Sequence, residues 1–307
     1  MRSVTEHLDL ILSSVQAIEP LEVGLLGSVG CVLAQDVAIE DEAGPHVLLS
    51  RGTAITPRHI ALIAAAGLGR VSVHPKARVV VMTVGSDLAD PGTSTELRPD
   101  INGVALTSAA TAAGAMTFRA GPLPSDEAAL QAAIEDQLVR ADVIVLACGM
   151  NVADYELATH VLKSLGRVDF TRVAMHPGGA QGFGVVGPDS TPIFVLPGNP
   201  VGALLSFDIF VRPLIRRLMG HTKVHYRTID ARLEDEVVGT TEYTDYIRAH
   251  FTRHTNVPMV RSVENDSAHP LAGLGTADAL IVLNQGTERI AAGQVVSVIQ
   301  LDVRTDE

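Results

Sequence analysis

Four short segments carry the residue types from which an anion site is built: Thr83-Val84-Gly85-Ser86-Asp87, Cys148-Gly149-Met150-Asn151, His176-Pro177-Gly178-Gly179 and Leu196-Pro197-Gly198-Asn199-Pro200. Each follows a short apolar run, and in an open α/β sheet ligands sit beyond the carboxyl ends of the strands. Glycine there lets backbone approach a ligand closely, and free N–H groups at a following helix start can cradle a negative charge. Any one such loop is adequately explained as a turn. Four at one sheet edge point to a site.

The charged residues nearby have two readings each. Asp87 suits a magnesium ligand at a strand end or an Asx-type cap, and taken alone the cap is the simpler reading. Asp154 suits a ligand contact or a stabilising acid in the first turn of a helix. Arg172 and His176 lie four apart on an expected strand and would point to one face near its end. Arg172 can offer a planar fork to an oxyanion or pair with a surface carboxylate, and His176 can donate to an oxyanion or simply bond to its turn.

These residues need a scaffold, and the hydrophobic periodicity supplies one. Ser3 and Glu6 form a capping-box pair ahead of Val4, Leu8, Ile11 and Val15, which predicts an amino-terminal helix. A second helix is expected from about Pro57 to Ala66, followed by a strand around Val71 to Val73, the two helices packing together in a small first domain over 1–75. From 76 to 220, β-branched runs at 79–84, 116–119, 143–147 and 193–196 alternate with amphipathic stretches, which describes a parallel sheet flanked by helices. A long helix over Val201 to Met219 stops at Gly220. From 221 to 307 the helical period gives way to strand-like pieces, read as a small β-barrel or sandwich. The fold class is therefore α/β, with a helical and β amino-terminal domain and a β carboxyl-terminal domain.

Composition narrows the function. The 307 residues, 47% hydrophobic with mean hydropathy +0.26, contain no run long enough to span a membrane, and the chain reads as soluble and cytoplasmic. A net charge of −12 and a pI near 5.3 oppose a phosphate-tracking nucleic-acid surface, so an anion would be held by a few local donors. Cys31 and Cys148 stand far apart in apolar surroundings and read as packing residues.

The loops, in this order, resemble the molybdopterin molybdenumtransferase family, called MoeA in bacteria and matching the E domain of gephyrin in animals. Leu196 to Val201 is the most specific match. Phe170 to Gly182 is similar to the family's segment ending in a Lys-Pro-Gly turn, Val145 to Tyr155 to its Ser-Gly-Gly-Val-Ser loop and following Asp, and Val81 to Leu88 to its Thr-Gly-Asp-Glu-Leu loop. Asp100-Ile101-Asn102 matches its Asp-Ser-Asn helix start, and Met1 to Gly30 with Arg51 to Gly69 match the two halves of its first domain. The resemblance implies a MogA-like central domain and a homodimer.

It also implies a deletion. Where family members continue into a projecting second domain that covers the other protomer's cleft, this chain passes from Glu40 to Ala43-Gly44-Pro45 and rejoins the pattern, leaving the cleft open to water. Ser86-Asp87 stands for an Asp-Glu pair, Ala147-Cys148-Gly149 for Ser-Gly-Gly, Ser125-Asp126 for Asp-Asp, and Arg172 and His176 for two lysines. Arg172 keeps a positive charge, whereas an imidazole such as His176 carries one only below its ordinary pKa of about 6.5. By resemblance the reaction uses adenylylated molybdopterin, molybdate and magnesium and releases AMP, and the missing cover with the changed loops implies a degenerate site that supports binding more strongly than turnover. Gly85, Ser86, Asn102, Gly149, Asn151, Pro197, Asn199 and Pro200 would hold the anionic pterin ligand, Asp87 the metal, and Asp154, Arg172 and His176 the reacting groups. The alternative is a non-catalytic scaffold that, like gephyrin, holds a protein partner in a groove.

Overall fold

The computed structural model describes residues 1–41, 44–149, 151–252, 258–263 and 271–301. Met150 of the second loop and Ala43 of the shortened connection lie outside the described residues.

The chain opens with α1 (Val4–Ser13), whose capping box is complete: the Glu6 N–H donates to Ser3 Oγ at 3.2 Å and the Ser3 N–H to Glu6 Oε2 at 2.8 Å. β1 (Leu21–Gly24), β2 (Val32–Leu33), β3 (Val37–Asp41), β4 (Gly44–Leu49), α2 (Pro57–Ala65) and β5 (Arg70–His74) follow. Ile63 of α2 packs with Leu33, Ile55, Val71 and Val73 over a three-stranded sheet of order β1-β5-β2. The expected packing of α1 on α2 is not what occurs. Ile11 and Val15 of α1 instead join the core of the central sheet, because the Ile18 N–H donates to Leu218 O at 2.8 Å and Arg217 Nε to Val15 O at 3.1 Å, turning the apolar stripe that way. β3 and β4 form an antiparallel hairpin with Asp41 opposite Gly44.

The central region runs β6 (Arg78–Val84), β7 (Leu88–Ala89), β8 (Arg98–Pro99), α3 (Ile101–Ala112), β9 (Met116–Leu123), α4 (Glu127–Leu138), β10 (Val143–Cys148), α5 (Val152–Leu165), β11 (Gly166–Arg172), β12 (Met175–His176), β13 (Ala180–Val186) and β14 (Thr191–Leu196). Its six-stranded sheet has the order β11-β13-β14-β10-β6-β9. Every residue of β10 and β14 is buried, as strands covered on both faces require. One face carries Leu106 and Ala110 of α3; the other carries Leu130 and Ile134 of α4 and Val161 and Leu162 of α5. The parallel arrangement holds for β14, β10, β6 and β9, while β13 and β11 run antiparallel. The β13–β14 connection is too short for a crossover helix, so it must form a hairpin.

The expected long helix is α6 (Pro200–Ser206), a π turn (Phe207–Val211) and α7 (Arg212–Leu218) end to end. Pro213 has no N–H to give the carbonyl four residues back, and the π turn just before it absorbs the shift, with the Arg212 N–H reaching Phe207 O. Gly220 then ends the helix at φ +78°.

β15 (Thr228–Leu233), β16 (Val237–Val238), β17 (Thr244–Thr252), β18 (Met259–Ser262), β19 (Ala279–Leu283), β20 (Arg289–Ile290) and β21 (Val295–Gln300) complete the chain. β17, β18, β15, β21 and β19 close on themselves through the β17–β19 pairing, so the carboxyl-terminal region is a barrel around Ala249, Val260, Ile281 and Val298. β12 adds to β17 in parallel and ties the barrel to the central sheet.

Candidate functional site

The expected site residues fall into two clefts. The first, about 370 Å³, lies at the carboxyl ends of the parallel strands β6, β10 and β14 and is lined by Thr83, Arg98, Asp100, Asn102, Cys148, Gly149, Gly198, Asn199 and Pro200, among others. Its walls are helix starts. Asp100 Oδ1 accepts from the Gly103 N–H at 2.8 Å, Asn151 Oδ1 from the Asp154 N–H at 2.8 Å, and Asn199 Oδ1 from the Val201 N–H at 2.9 Å. Asn102 Nδ2 donates to Gly198 O at 2.8 Å and joins the start of α3 to the loop after β14. Two glycines are sterically required. A Cβ on Gly198 would run into the Gly149 carbonyl, and one on Gly149 into the Asp154 carboxylate.

Asp154 is not the cap of α5, since Asn151 is; it stands buried in the first turn, where the macrodipole favours its charge. Ser125 Oγ donates to Asp154 Oδ1 at 2.5 Å, while Asp154 Oδ2 is buried with no partner. Ser125 also accepts from the Ser86 N–H at 3.0 Å, and the Ser125 N–H returns to Ser86 Oγ at 2.8 Å, so the two substituted loops lock together. Asp87 is not an Asx cap either. Arg98 Nε donates to its Oδ2 at 2.8 Å, with Arg98 Nη2 on the same oxygen, and its Oδ1 is buried without a partner.

Asp100 is more heavily engaged than its match to a helix start suggested. Beyond the cap, its buried Oδ2 accepts from Thr83 Oγ1 at 2.7 Å and Arg119 Nη2 at 2.6 Å. Burial, helped by the charge of Asp154, pushes the Cys148 thiol up to about 12, which makes it a packing residue and not a nucleophile. Among the expected ligand contacts, Gly85, Ser86, Asp87, Asn151, Asp154 and Pro197 do not line this cleft.

The second cleft, about 490 Å³, gathers Arg172, His176, Tyr155, Phe170, Tyr243 and a floor of Gly178 and Gly179. Arg172 and His176 do not share a strand. Just beyond the end of β11 at Arg172, the main chain of Arg2 bridges to Val173 from the sheet edge: its N–H donates to Arg172 O at 2.9 Å and its carbonyl accepts from the Ala174 N–H at 2.8 Å. The chain then turns, and His176 continues as β12 beside the barrel. Both side chains still reach one cleft, by a bend and not by strand alternation. Tyr155 meets Phe170 edge-on at 5.7 Å, and burial raises its hydroxyl to about 12.

Arg98, Ser125 and Asp245 were not singled out as site residues in the sequence. Asp245 contacts His176 at 3.1 Å from β17, nearly seventy positions away. Only Asp100, three residues before Gly103, carried a local signal, that of an N-cap.

Comparison with known proteins agrees with these features. Residues 80–217 match a family model described as a probable molybdopterin binding domain, and residues 230–301 match the MoeA C-terminal region (domain IV), together about two thirds of the chain. Molybdopterin molybdenumtransferase 1 of Mycobacterium tuberculosis (strain ATCC 25618 / H37Rv) is 38% identical over 268 residues, covering 84% of this chain and 62% of that protein. Molybdopterin molybdenumtransferase of Bacillus subtilis (strain 168) is 27% identical over 264 residues, covering 85% and 61%. The chain thus spans about three fifths of the length of these relatives. In fold it is similar to the molybdopterin biosynthesis MoeA protein from Pyrococcus horikosii, with TM-score 0.82 at 19% identity over 98% of this chain and 99% of that one. A molybdenum cofactor biosynthesis protein from Pyrococcus furiosus gives 0.76 at 21% identity, covering 98% and 99%.

Proposed function

The chain belongs to the MoeA family, and from that premise we propose that it acts in molybdenum-cofactor biosynthesis, binding adenylylated molybdopterin and molybdate and inserting molybdenum with release of AMP. The observation that carries this reading is the pairing of a backbone-walled cleft at the strand ends with a buried Asp154 carboxylate whose Oδ2 has no partner. A buried, unpaired carboxylate oxygen costs free energy unless something completes it.

Magnesium fits as far as these donors go. Asp87 Oδ1 and Asp154 Oδ2 are both without partners, and magnesium commonly takes one or two carboxylates with water and phosphate completing its shell. Among the described residues no cluster of three His, Cys, Asp or Glu would hold a metal without such help. When bound, the ion would offset the charge of the adenylate phosphate. The remaining work belongs to the chain. Asn102 and the Gly198 loop shape the first cleft, Ser125 holds Asp154 in place, and Arg172 and His176 present donors to phosphate or molybdate in the second. The protein would work as a cytoplasmic homodimer, which a monomeric mass by solution scattering would contradict; no described helix is long and apolar enough to cross a membrane.

A second reading, a non-catalytic scaffold for a protein partner, draws on the hairpin β3–β4 at the point where the resembling family carries a covering domain. One assay separates them. The protein is incubated with adenylylated molybdopterin, magnesium and molybdate while pterin binding and AMP release are followed. Molybdate-dependent AMP release is the expected result. Binding without release would mean a ligand-holding protein, and absence of both would sink the transferase reading in favour of the scaffold.

A further inference from the structure

The wall of the first cleft is held from behind. Thr83 near the end of β6 and Asp100 at the cap of α3 both line the cleft. The Asp100 side chain is fully buried, and its carboxylate accepts three times: Oδ1 from the Gly103 N–H at 2.8 Å, Oδ2 from Thr83 Oγ1 at 2.7 Å and from Arg119 Nη2 at 2.6 Å. Gly103 has to be glycine, since a Cβ would fall on Asp100 Oδ2 and beside Arg119 Nε. Arg119 belongs to β9, opposite Val81 of β6, and does not itself line the cleft. Its Nη2 also lies 2.6 Å from Asp90 Oδ1 in the β7–β8 connection. The two contacts differ in weight. Asp90 is half exposed, so that ion pair contributes little. Asp100 has no water to replace the guanidinium, and a buried carboxylate stripped of its cation is strongly destabilising.

We propose that Arg119 is a positioning residue for the first cleft, acting through Asp100 on two side chains of its lining, Thr83 and Asn102. The inference rests on the reading that this cleft takes the adenylylated pterin. Thr83 has one hydroxyl proton, and the contact with Asp100 commits it, so the hydroxyl turns lone pairs and no hydrogen toward the cleft. It can only accept there, from an N–H or a hydroxyl of the ligand. Asn102 lies two residues beyond the Asp100 cap, and its Nδ2 bond to Gly198 O at 2.8 Å requires the first turn of α3 to stay where the cap puts it. Without the guanidinium, the Asp100 carboxylate has to turn toward water, which frees the Thr83 hydroxyl and loosens the cap. One cation outside the cleft therefore sets both the polarity of Thr83 and the place of Asn102.

The test uses the full chain in four variants: Arg119→Met, Arg119→Lys, Asp90→Asn, and Arg119→Met combined with Asp100→Asn. Ligand-free protein is read first by amide exchange at Gly103, whose N–H bonds Asp100 Oδ1. Exchange there should be about tenfold faster in Arg119→Met, near the unaltered rate in Arg119→Lys and unchanged in Asp90→Asn. Titration with adenylylated molybdopterin, well below each variant's Tm, should follow the same order, with binding about tenfold weaker in Arg119→Met. The double variant separates positioning from stability, and it stands in where Arg119→Met alone does not fold. Removing the uncompensated charge should restore Tm, but asparagine has one acceptor oxygen for both Thr83 and Gly103, so binding should stay weak. Recovery of binding together with Tm would make Arg119 a structural counter-ion and overturn the proposal. An unchanged Gly103 rate in Arg119→Met, or a faster rate with unaltered affinity, would overturn it as well. Binding as weak in Asp90→Asn as in Arg119→Met would assign the effect to the β7–β8 connection instead. If the unaltered protein takes up no adenylylated pterin, the transferase reading fails on its own. The proposal is then decided by the side-chain amide resonances of Asn102, which should move in Arg119→Met and stay in place in Arg119→Lys; unmoved resonances in Arg119→Met overturn it.

Discussion

The first cleft has glycine backbone in its wall that leaves no room for a side chain, whereas the second carries the exposed side chains of Arg172 and His176 among residues brought together from distant parts of the sequence. In the first, Gly149 and Gly198 pack against each other's loop and against Asp154, and three capped helix starts fix the surrounding backbone. In the second, Arg172 and His176 are both exposed and owe their meeting to the bridging main chain of Arg2 and to the barrel strand β17. Beside the first cleft, Ser86 and Ser125 hold each other by reciprocal hydrogen bonds. Substitution should therefore cost stability in one and affinity in the other.

The largest effect expected from that contrast is at Gly149. In Gly149→Ala the new Cβ overlaps the buried Asp154 carboxylate, which must shift and strain its bond from Ser125 Oγ. Overpacking of this kind costs about 1–3 kcal/mol, a fall in Tm of several degrees, and binding of adenylylated molybdopterin should drop by about a hundredfold or more. Thermal unfolding with a pterin-binding titration checks both. Unchanged Tm and affinity would show that the loop has slack and would break the contrast.

Arg172→Gln should do the reverse. The side chain is exposed, so Tm should move by no more than about a degree, while molybdate affinity falls about tenfold through loss of a charge-assisted donor. A large loss of stability with unaltered affinity would place Arg172 in the scaffold and out of the cleft.

The same contrast explains what the sequence could disclose. The first cleft was legible because its features are local: a Pro-Gly-Asn-Pro turn after an apolar run, a glycine beside a helix start, an Asp two residues before Asn102. The capping box of α1 and the stop at Gly220 are short-range for the same reason. The partner of α1 was not legible, because an apolar stripe says that it is covered and not by what; hydrogen bonds from Ile18 and Arg217 decide it. The antiparallel edge was hidden, since β13 did not stand out as a strand, and the short turn before β14 is what reverses it relative to the parallel strands. Arg172 and His176 do line one cleft, but across a turn between β11 and β12 and not on the shared strand expected. Asp245 had no local mark at all, because its role depends on register between β12 and β17.

A third effect concerns the bracing of that second cleft. His7 of α1 is buried edge-on against Phe210 at 4.9 Å and Phe183 at 6.5 Å, and Arg2 Nη1 lies 3.2 Å from its Nδ1. Burial, and then the Arg2 charge, lower its pKa from 6.5 to about 4. Since the folded value is depressed, the unfolded chain binds more protons between pH 6.5 and 4, and stability falls as pH drops through that window. At pH 5 the loss from this group is about 2 kcal/mol. His7→Leu should remove that share, so the fall in Tm between pH 7 and pH 5 should be smaller in the variant than in the unaltered protein. Because Arg2 holds residues 172–174, the acid-induced loosening should appear there first: at pH 5, amide exchange of Ala174 should be slower in His7→Leu, while that of Gly149, bonded to Val84 O, is the same in both. Equal protection changes at both amides would show that the two clefts are one cooperative unit.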